Sequence, residues 1–187
     1  MIKKMFASWE KKSYKFYPAF LIYYHMYQDV VQKEIELGNI TSEDVVLNIG
    51  CGAIPYTAIH VSQMTGAKVI ALDWDQEAID MAKDCLIKYD LSNNIEIRKG
   101  NGAITIPDSF TKAIVALHVG DKPTVLDNLS SKRRQGADII IRQPVDQFKN
   151  EYGYLPETLP PDEKVYQRMK TFKESFLYKI PKPTSPK

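Results

Sequence analysis

One short stretch, DVVLNIGCGAIPYTAI, constrains the fold of this chain more than any other part of its sequence. Residues 45–49 form an apolar run rich in valine and isoleucine, which predicts a buried strand. Gly50 and Gly52 follow it and allow a tight turn in which bare backbone approaches a ligand closely. A helical pattern then spans 55–64, and proline suits its start because a first-turn amide has no partner within the helix.

The same alternation continues along the chain and predicts an α/β fold. Further apolar runs typical of buried strands occupy 68–72, 95–98, 112–117 and 137–142, and helical patterns span 75–89 and 122–132. Two more candidate strands, 165–169 and 175–180, have a turn at 170–174 between them, with a helix there left open. These elements predict a Rossmann-like, doubly wound, mostly parallel sheet of seven strands, with ligands bound beyond the carboxyl ends of the strands.

Composition and charge favour a globular cytoplasmic protein. The 25 basic and 23 acidic residues are spread along the chain and give a net charge of +2, so no basic patch predicts a nucleic-acid partner. The apolar run near the N-terminus is short and broken by Pro18, which predicts neither a signal peptide nor a membrane span. Cys51 and Cys85 favour a reducing compartment over a disulfide framework, and no cluster has metal-ligand spacing.

An acidic residue supports an adenosine ligand for the glycine turn. Asp73 ends the second predicted strand about twenty positions after Gly50, the offset at which a carboxylate accepts hydrogen bonds from a ribose. Pro55 stands where a dinucleotide-binding loop has its third glycine, which disfavours close contact with a pyrophosphate. The pattern therefore predicts an adenosine cofactor that carries no phosphates.

S-adenosylmethionine is such a cofactor, and the class I methyltransferase fold that binds it has this strand order and acid placement. Asn48 and Ile54 depart from the usual first motif of that fold, which has an acidic residue and a third glycine at these positions. The segment GCGAIPYTAI closely resembles the G-x-G-x-x-P-x-T-x-I signature of nicotianamine synthases, which use the same fold to transfer a different group. YYHMYQDVVQKE, ALHVGDKPTVLDNL and DIIIRQPV extend the resemblance over about 23–180.

The resemblance implies a catalytic glutamate on the aromatic helix, which falls here on Glu34, with Tyr27 as a second catalytic residue. Helical spacing places Tyr23, Tyr27 and Glu34 on one stripe, and Glu34 could accept the proton of an amine nucleophile. The alternative is a Glu34 that only pairs with a nearby lysine. Predicted substrate contacts are Tyr23, Tyr24 and Arg142; Arg142 either clamps a carboxylate bidentately or forms a surface ion pair.

The predicted cofactor contacts follow the ends of the first four strands. They are Gly50, Cys51, Gly52, Thr57, Asp73, Trp74, Asn101, Gly102, Leu117 and His118. Trp74 either covers the adenine or fills core, and Asn101 either accepts a hydrogen bond from the adenine amino group or makes a plain turn. His118 is more often a satisfied strand-end histidine than a base.

The resulting division is an N-terminal helical extension or lid over 1–42, an S-adenosylmethionine-binding domain over 43–182 and a disordered tail over 183–187. Three functions are compatible with the sequence: 3-amino-3-carboxypropyl transfer to a small amine or amino acid, conventional small-molecule methyl transfer, and noncatalytic binding of an adenosine ligand. The expected product is methylthioadenosine or S-adenosylhomocysteine. No membrane or nucleic-acid partner is predicted, and a homodimer is left open.

Overall fold

Seven strands form a single sheet in the computed structural model of this chain, which describes residues 17–107, 109–131 and 136–180. The elements in chain order are α1 (Tyr17–Gly38), β1 (Val45–Ile49), α2 (Tyr56–Thr65), β2 (Lys68–Asp73), α3 (Gln76–Lys88), β3 (Ile95–Lys99), β4 (Lys112–Val115), α4 (Lys122–Ser131), β5 (Asp138–Pro144), a short 3₁₀ turn (Asp146–Phe148), α5 (Lys149–Tyr152), β6 (Glu163–Tyr166) and β7 (Phe172–Lys179).

The order of the strands is β3-β2-β1-β4-β5-β7-β6. The first five strands pair in parallel, and β7 runs antiparallel to both β5 and β6. The direction of winding reverses between β1 and β4, where ligands of open α/β sheets bind. This topology confirms the predicted doubly wound, mostly parallel sheet of seven strands.

Two boundaries differ from the predictions in ways that affect the cavity and its surroundings. β4 ends at Val115, and the amide of Val119 closes a turn on the carbonyl oxygen of Ala116, so Leu117 leaves the sheet. β6 and β7 are separated by 167–171, whereas the predicted turn was 170–174. The apolar Met169 prolonged the strand pattern in the sequence, although it lies within the observed turn. The predicted tail and the end of the predicted helix 122–132 fall outside the described residues.

Alternating residues of the strands form a core on each face of the sheet. Val46, Val69 and Ile114 pack with α1, α2 and α3, whereas Leu47 and Ile139 pack with α4 on the other face. The side chains in both cores are almost fully buried. Their close packing fixes the carboxyl ends of the strands relative to one another.

The two halves of helix α1 pack in different surroundings. Val30, Val31 and Glu34 in its second half are buried, and Val31 is part of the core beneath the sheet. Its first half carries an aromatic cluster in which Phe20 stacks on rings of α2 and the end of α3. The division into 1–42 and 43–182 stays a prediction. In the described part of the chain, no helix is both long and apolar enough to cross a membrane.

Candidate functional site

A cavity of about 500 Å³ lies at the carboxyl ends of β1, β2 and β4, beside the point where the winding reverses. All ten predicted cofactor contacts line it, together with Tyr27 and Arg142. A cavity of this size is typical of small-molecule sites. The structure thus brings together residues that are separated by more than a hundred positions in the sequence.

The glycine turn enters the cavity in a conformation that favours glycine. Gly50 has φ +80° and Gly52 has φ +69°, both in the left-handed region. The amides of Gly50 and Cys51 donate to the carbonyl oxygen of Leu72, and the amide of Gly52 donates to the Asp73 carboxylate over 2.9 Å. Because these three successive amides are engaged within the protein, they form no nest for a phosphate group.

Asp73 and Trp74 complete this side of the cavity, which we name the glycine rim (Gly50, Cys51, Gly52, Asp73 and Trp74). The second carboxylate oxygen of Asp73 accepts from the amide of Asp75 over 3.0 Å, so each oxygen retains capacity for one more hydrogen bond. Asp73 is 9% exposed, and its exposure is toward the cavity. Trp74 is 76% exposed, so its ring does not fill the core.

The segment after β3 forms a further part of the wall. The Asn101 side chain accepts a hydrogen bond from the amide of Ala103 over 3.0 Å. This contact forms a turn, which was one of the two interpretations of Asn101 made from the sequence. A Cβ at Gly102 would lie 2.7 Å from the Ile49 side chain, so any larger residue there would force Ile49 to shift. Asn128 of α4 donates to the Gly102 carbonyl oxygen and fixes the turn from behind.

A buried polar group, which we name the rear wall, lies behind the cavity and consists of Glu34, Thr57, Arg142, Gln167 and Ser175. Arg142 donates to both carboxylate oxygens of Glu34 over 2.8 Å each and to the Thr57 hydroxyl over 2.9 Å. Burial alone would lower the pKa of the Arg142 guanidinium, but the Glu34 carboxylate raises it above the usual value. The pair is therefore a charged, fully buried salt bridge.

The other two members of the rear wall were not identified from the sequence. Ser175 donates to Glu34 over 2.7 Å, and the Gln167 side-chain amide donates to Ser175 and to the carbonyl oxygen of Val30. Ser175 stands opposite Arg142 in the register of β7 and β5. Ser175 directly follows Lys173 and Glu174 in β7, so the sequence offered no signal that distinguished it as a buried polar residue.

These contacts change two interpretations made from the sequence. Glu34 is 0% exposed and does not line the cavity, so it cannot reach an amine held there without a rearrangement. Arg142 cannot clamp a ligand carboxylate through Nε and Nη2, because Glu34 and Thr57 already accept from these atoms. Nη1 takes part in none of the hydrogen bonds that the structure describes, and it is the nitrogen that a ligand could use.

The aromatic helix contributes one tyrosine to the cavity. The Tyr27 ring lies 5.5 Å from that of Tyr56 in a stacked pair, and the Arg142 guanidinium lies 5.6 Å from the Tyr27 ring centre. Tyr23 packs on Tyr56, and the Tyr24 hydroxyl donates to Gln63 of α2. Tyr23 and Tyr24 lie outside the cavity lining, so the structure gives no support to their predicted contact with substrate.

His60 fixes the first half of α1 against α2. Its Nε2 donates to the carbonyl oxygen of Tyr24 over 2.8 Å, and the two rings lie 4.2 Å apart. Burial lowers the pKa of His60 to about 4, partly offset by this hydrogen bond. The imidazole is therefore neutral at pH 7. No role for His60 was predicted from the sequence.

No protein-family model matches the chain. It is 27% identical over 104 residues to a probable cobalt-precorrin-6B C(15)-methyltransferase of Methanobrevibacter smithii, covering 54% of each protein. It is 25% identical over 113 residues to an L-histidine 2-aminobutanoyltransferase of Pseudomonas aeruginosa, covering 60% of this chain and 43% of that protein. The matched part of the chain thus spans about half the length of these curated relatives.

Among solved structures, a mutant of MtNAS in complex with S-adenosylmethionine superimposes with a TM-score of 0.78 at 17% identity. The match covers 97% of this chain and 72% of that one. Together with the order of the strands, this likeness shows that the chain has the Rossmann-like fold of class I methyltransferases.

Proposed function

We propose that this chain binds S-adenosylmethionine in the cavity and transfers its 3-amino-3-carboxypropyl arm to the amine of a small molecule or amino acid. The observation that carries the cofactor assignment is the hydrogen bonding within the glycine rim. Its three amides are engaged within the protein, whereas the Asp73 carboxylate remains open to a ribose. This arrangement suits a nucleoside that has no phosphates.

Each side of the cavity would hold a different part of the ligand. Asp73 would accept hydrogen bonds from the ribose hydroxyls, and the exposed Trp74 ring would cover the adenine. Nη1 of Arg142 would donate to a carboxylate of the arm or of the acceptor. Bound S-adenosylmethionine supplies a sulfonium whose three attached carbons are electrophilic, so alignment of the acceptor decides which group is transferred.

Two of the proteins described above support arm transfer over methyl transfer. The name of the Pseudomonas aeruginosa relative describes transfer of an aminobutanoyl group to L-histidine. That group has the four-carbon amino-acid skeleton of the aminocarboxypropyl arm. MtNAS, a nicotianamine synthase, matches nearly the whole chain. Cys51 and Cys85 are buried and not joined in a disulfide, which fits the cytoplasmic location that we propose.

Conventional methyl transfer is the second candidate, favoured by the methyltransferase relative from Methanobrevibacter smithii. Mass spectrometry of the nucleoside product distinguishes the two reactions after incubation with S-adenosylmethionine and an amine, with L-histidine tested first. Methylthioadenosine is expected for arm transfer, and S-adenosylhomocysteine would instead establish methyl transfer. Tight binding without either product, across a panel of amines, would leave only the ligand-binding function.

A further inference from the structure

A buried lysine lies beside the cavity without lining it. Lys122, at the start of α4, is 0% exposed. Its Nζ donates to the carbonyl oxygens of Leu117 over 2.8 Å, Val119 over 2.7 Å, Tyr152 over 2.7 Å and Gly153 over 3.2 Å. An ammonium has three protons, so one of them is shared between two carbonyl groups.

The four carbonyl groups belong to two separate segments. Leu117 and Val119 lie in the turn 116–121, all of which lines the cavity. Tyr152 and Gly153 end α5, which follows β5, and neither of them lines the cavity. One side chain therefore joins a cavity wall to a segment more than thirty positions away in the sequence.

The two segments also touch directly, and their backbones are too close for a side chain to fit between them. A Cβ at Gly153 would lie only 1.6 Å from the carbonyl oxygen of Gly120, and Gly153 has φ +67°. The Tyr152 ring packs edge-on against His118 at 4.9 Å. The Lys122 ammonium lies between the carbonyl oxygens that converge behind this wall, where it offsets the repulsion between their like dipoles.

We propose that Lys122 is a positioning residue for the ligand cavity: its ammonium holds the wall 116–121 at the distance that the bound nucleoside requires. The inference rests on the proposed function for the identity of the ligand. Lys122 touches neither ligand nor reacting atoms in this scheme. It acts through Leu117 and His118, both of which line the cavity.

The test compares two lysine-to-methionine variants. Lys122→Met removes the charge and shortens the unbranched side chain by only the terminal nitrogen. Lys112→Met does the same at the other end of β4, where Lys112 pairs with Asp138 over 2.7 Å. Calorimetry with S-adenosylmethionine on the folded variants is expected to show at least about tenfold weaker binding for Lys122→Met, the scale of a displaced positioning group. Lys112→Met should bind like the parent, even if its thermal stability falls. Equal affinity of folded Lys122→Met and parent would overturn the proposal.

A measurement on the parent protein covers the case in which Lys122→Met does not fold. Hydrogen exchange with and without S-adenosylmethionine should show added protection at 117–120 and, through Lys122, at 152–153, which the ligand does not touch. Protection confined to 117–120 would contradict the link. A parent that binds no S-adenosylmethionine would instead refute the proposed function, and this inference with it.

Discussion

The glycine rim and the rear wall border the same cavity, yet their polar groups are used in different ways. In the rear wall, the Glu34 carboxylate is buried and accepts from Arg142 and Ser175, so that only Nη1 of Arg142 is left for a ligand. In the glycine rim, backbone groups are saturated, whereas the Asp73 carboxylate and the Trp74 ring remain open. The comparison indicates that the rear wall contributes mainly to stability and the glycine rim mainly to binding, and the predictions for Glu34, Asp73 and Trp74 test that separation.

The largest effect is expected for Glu34→Gln. The substitution leaves the buried Arg142 guanidinium without its counter-charge, which costs about 3–5 kcal/mol of the free energy of unfolding. Urea denaturation measures the loss. Asp29→Asn is the matched control on the same helix, because Asp29 forms an exposed pair with Lys33 and should cost less than about 1 kcal/mol.

The same variant decides between the two roles considered for Glu34. If Glu34 were the general base, Glu34→Gln would keep its stability and lose about 100-fold or more in turnover with a verified amine. A stable but slow variant would therefore contradict the separation of the two regions. A destabilised variant whose folded fraction retains its turnover would agree with it.

His60, a buried residue outside both regions, should make the stability of the protein sensitive to acid. Its folded pKa of about 4 lies below the usual value of 6.5, so between these values the unfolded chain binds a proton that the folded chain does not. The free energy of unfolding is therefore unaffected by His60 above pH 6.5. It decreases as the pH falls toward 4, by about 3 kcal/mol in all. The nearby side chains of His25 and Arg142 also lower the pKa of His60.

Urea denaturation at pH 7 and pH 4.5 tests this prediction for the parent and for His60→Gln. The glutamine amide can still donate to the Tyr24 carbonyl group but does not titrate in this range. The pH dependence should be smaller in the variant, and an equal dependence in both proteins would assign the acid sensitivity to other groups.

The sequence predicted the rim better than the rear wall because the signals of the rim are local. Gly50, Gly52 and Asp73 lie within one strand-turn-helix-strand unit, whose geometry is well defined. The partners in the rear wall are 108 positions apart for Glu34 and Arg142 and 141 positions apart for Glu34 and Ser175. Helical periodicity placed Glu34 on the correct stripe of α1 but could not show that an arginine from β5 covers it. Lys122 escaped notice for a similar reason, since its partners are backbone carbonyl groups.

A rim substitution should show the opposite pattern to Glu34→Gln. Asp73→Ala removes the carboxylate expected to accept charge-assisted hydrogen bonds from the ribose, each of which contributes about 1.5–3 kcal/mol. Calorimetry should show correspondingly weaker binding of S-adenosylmethionine. Asp73→Asn retains one acceptor for the amide of Gly52 or Asp75, so it separates loss of the charge from collapse of the turn. Unchanged affinity in both variants would remove Asp73 from the site.

The smallest effect is expected for Trp74→Ala, which tests whether a residue of the glycine rim can affect binding without affecting stability. Trp74 is 76% exposed, so removal of its ring should change the free energy of unfolding by no more than about 0.5 kcal/mol. Loss of stacking on the adenine should nevertheless weaken binding of S-adenosylmethionine by about 1 kcal/mol. Ile87→Ala is the matched control, because Ile87 is 75% exposed on α3 and does not line the cavity. If Trp74→Ala lowers stability while affinity is retained, the Trp74 ring has a structural role and does not belong to the binding surface of the glycine rim.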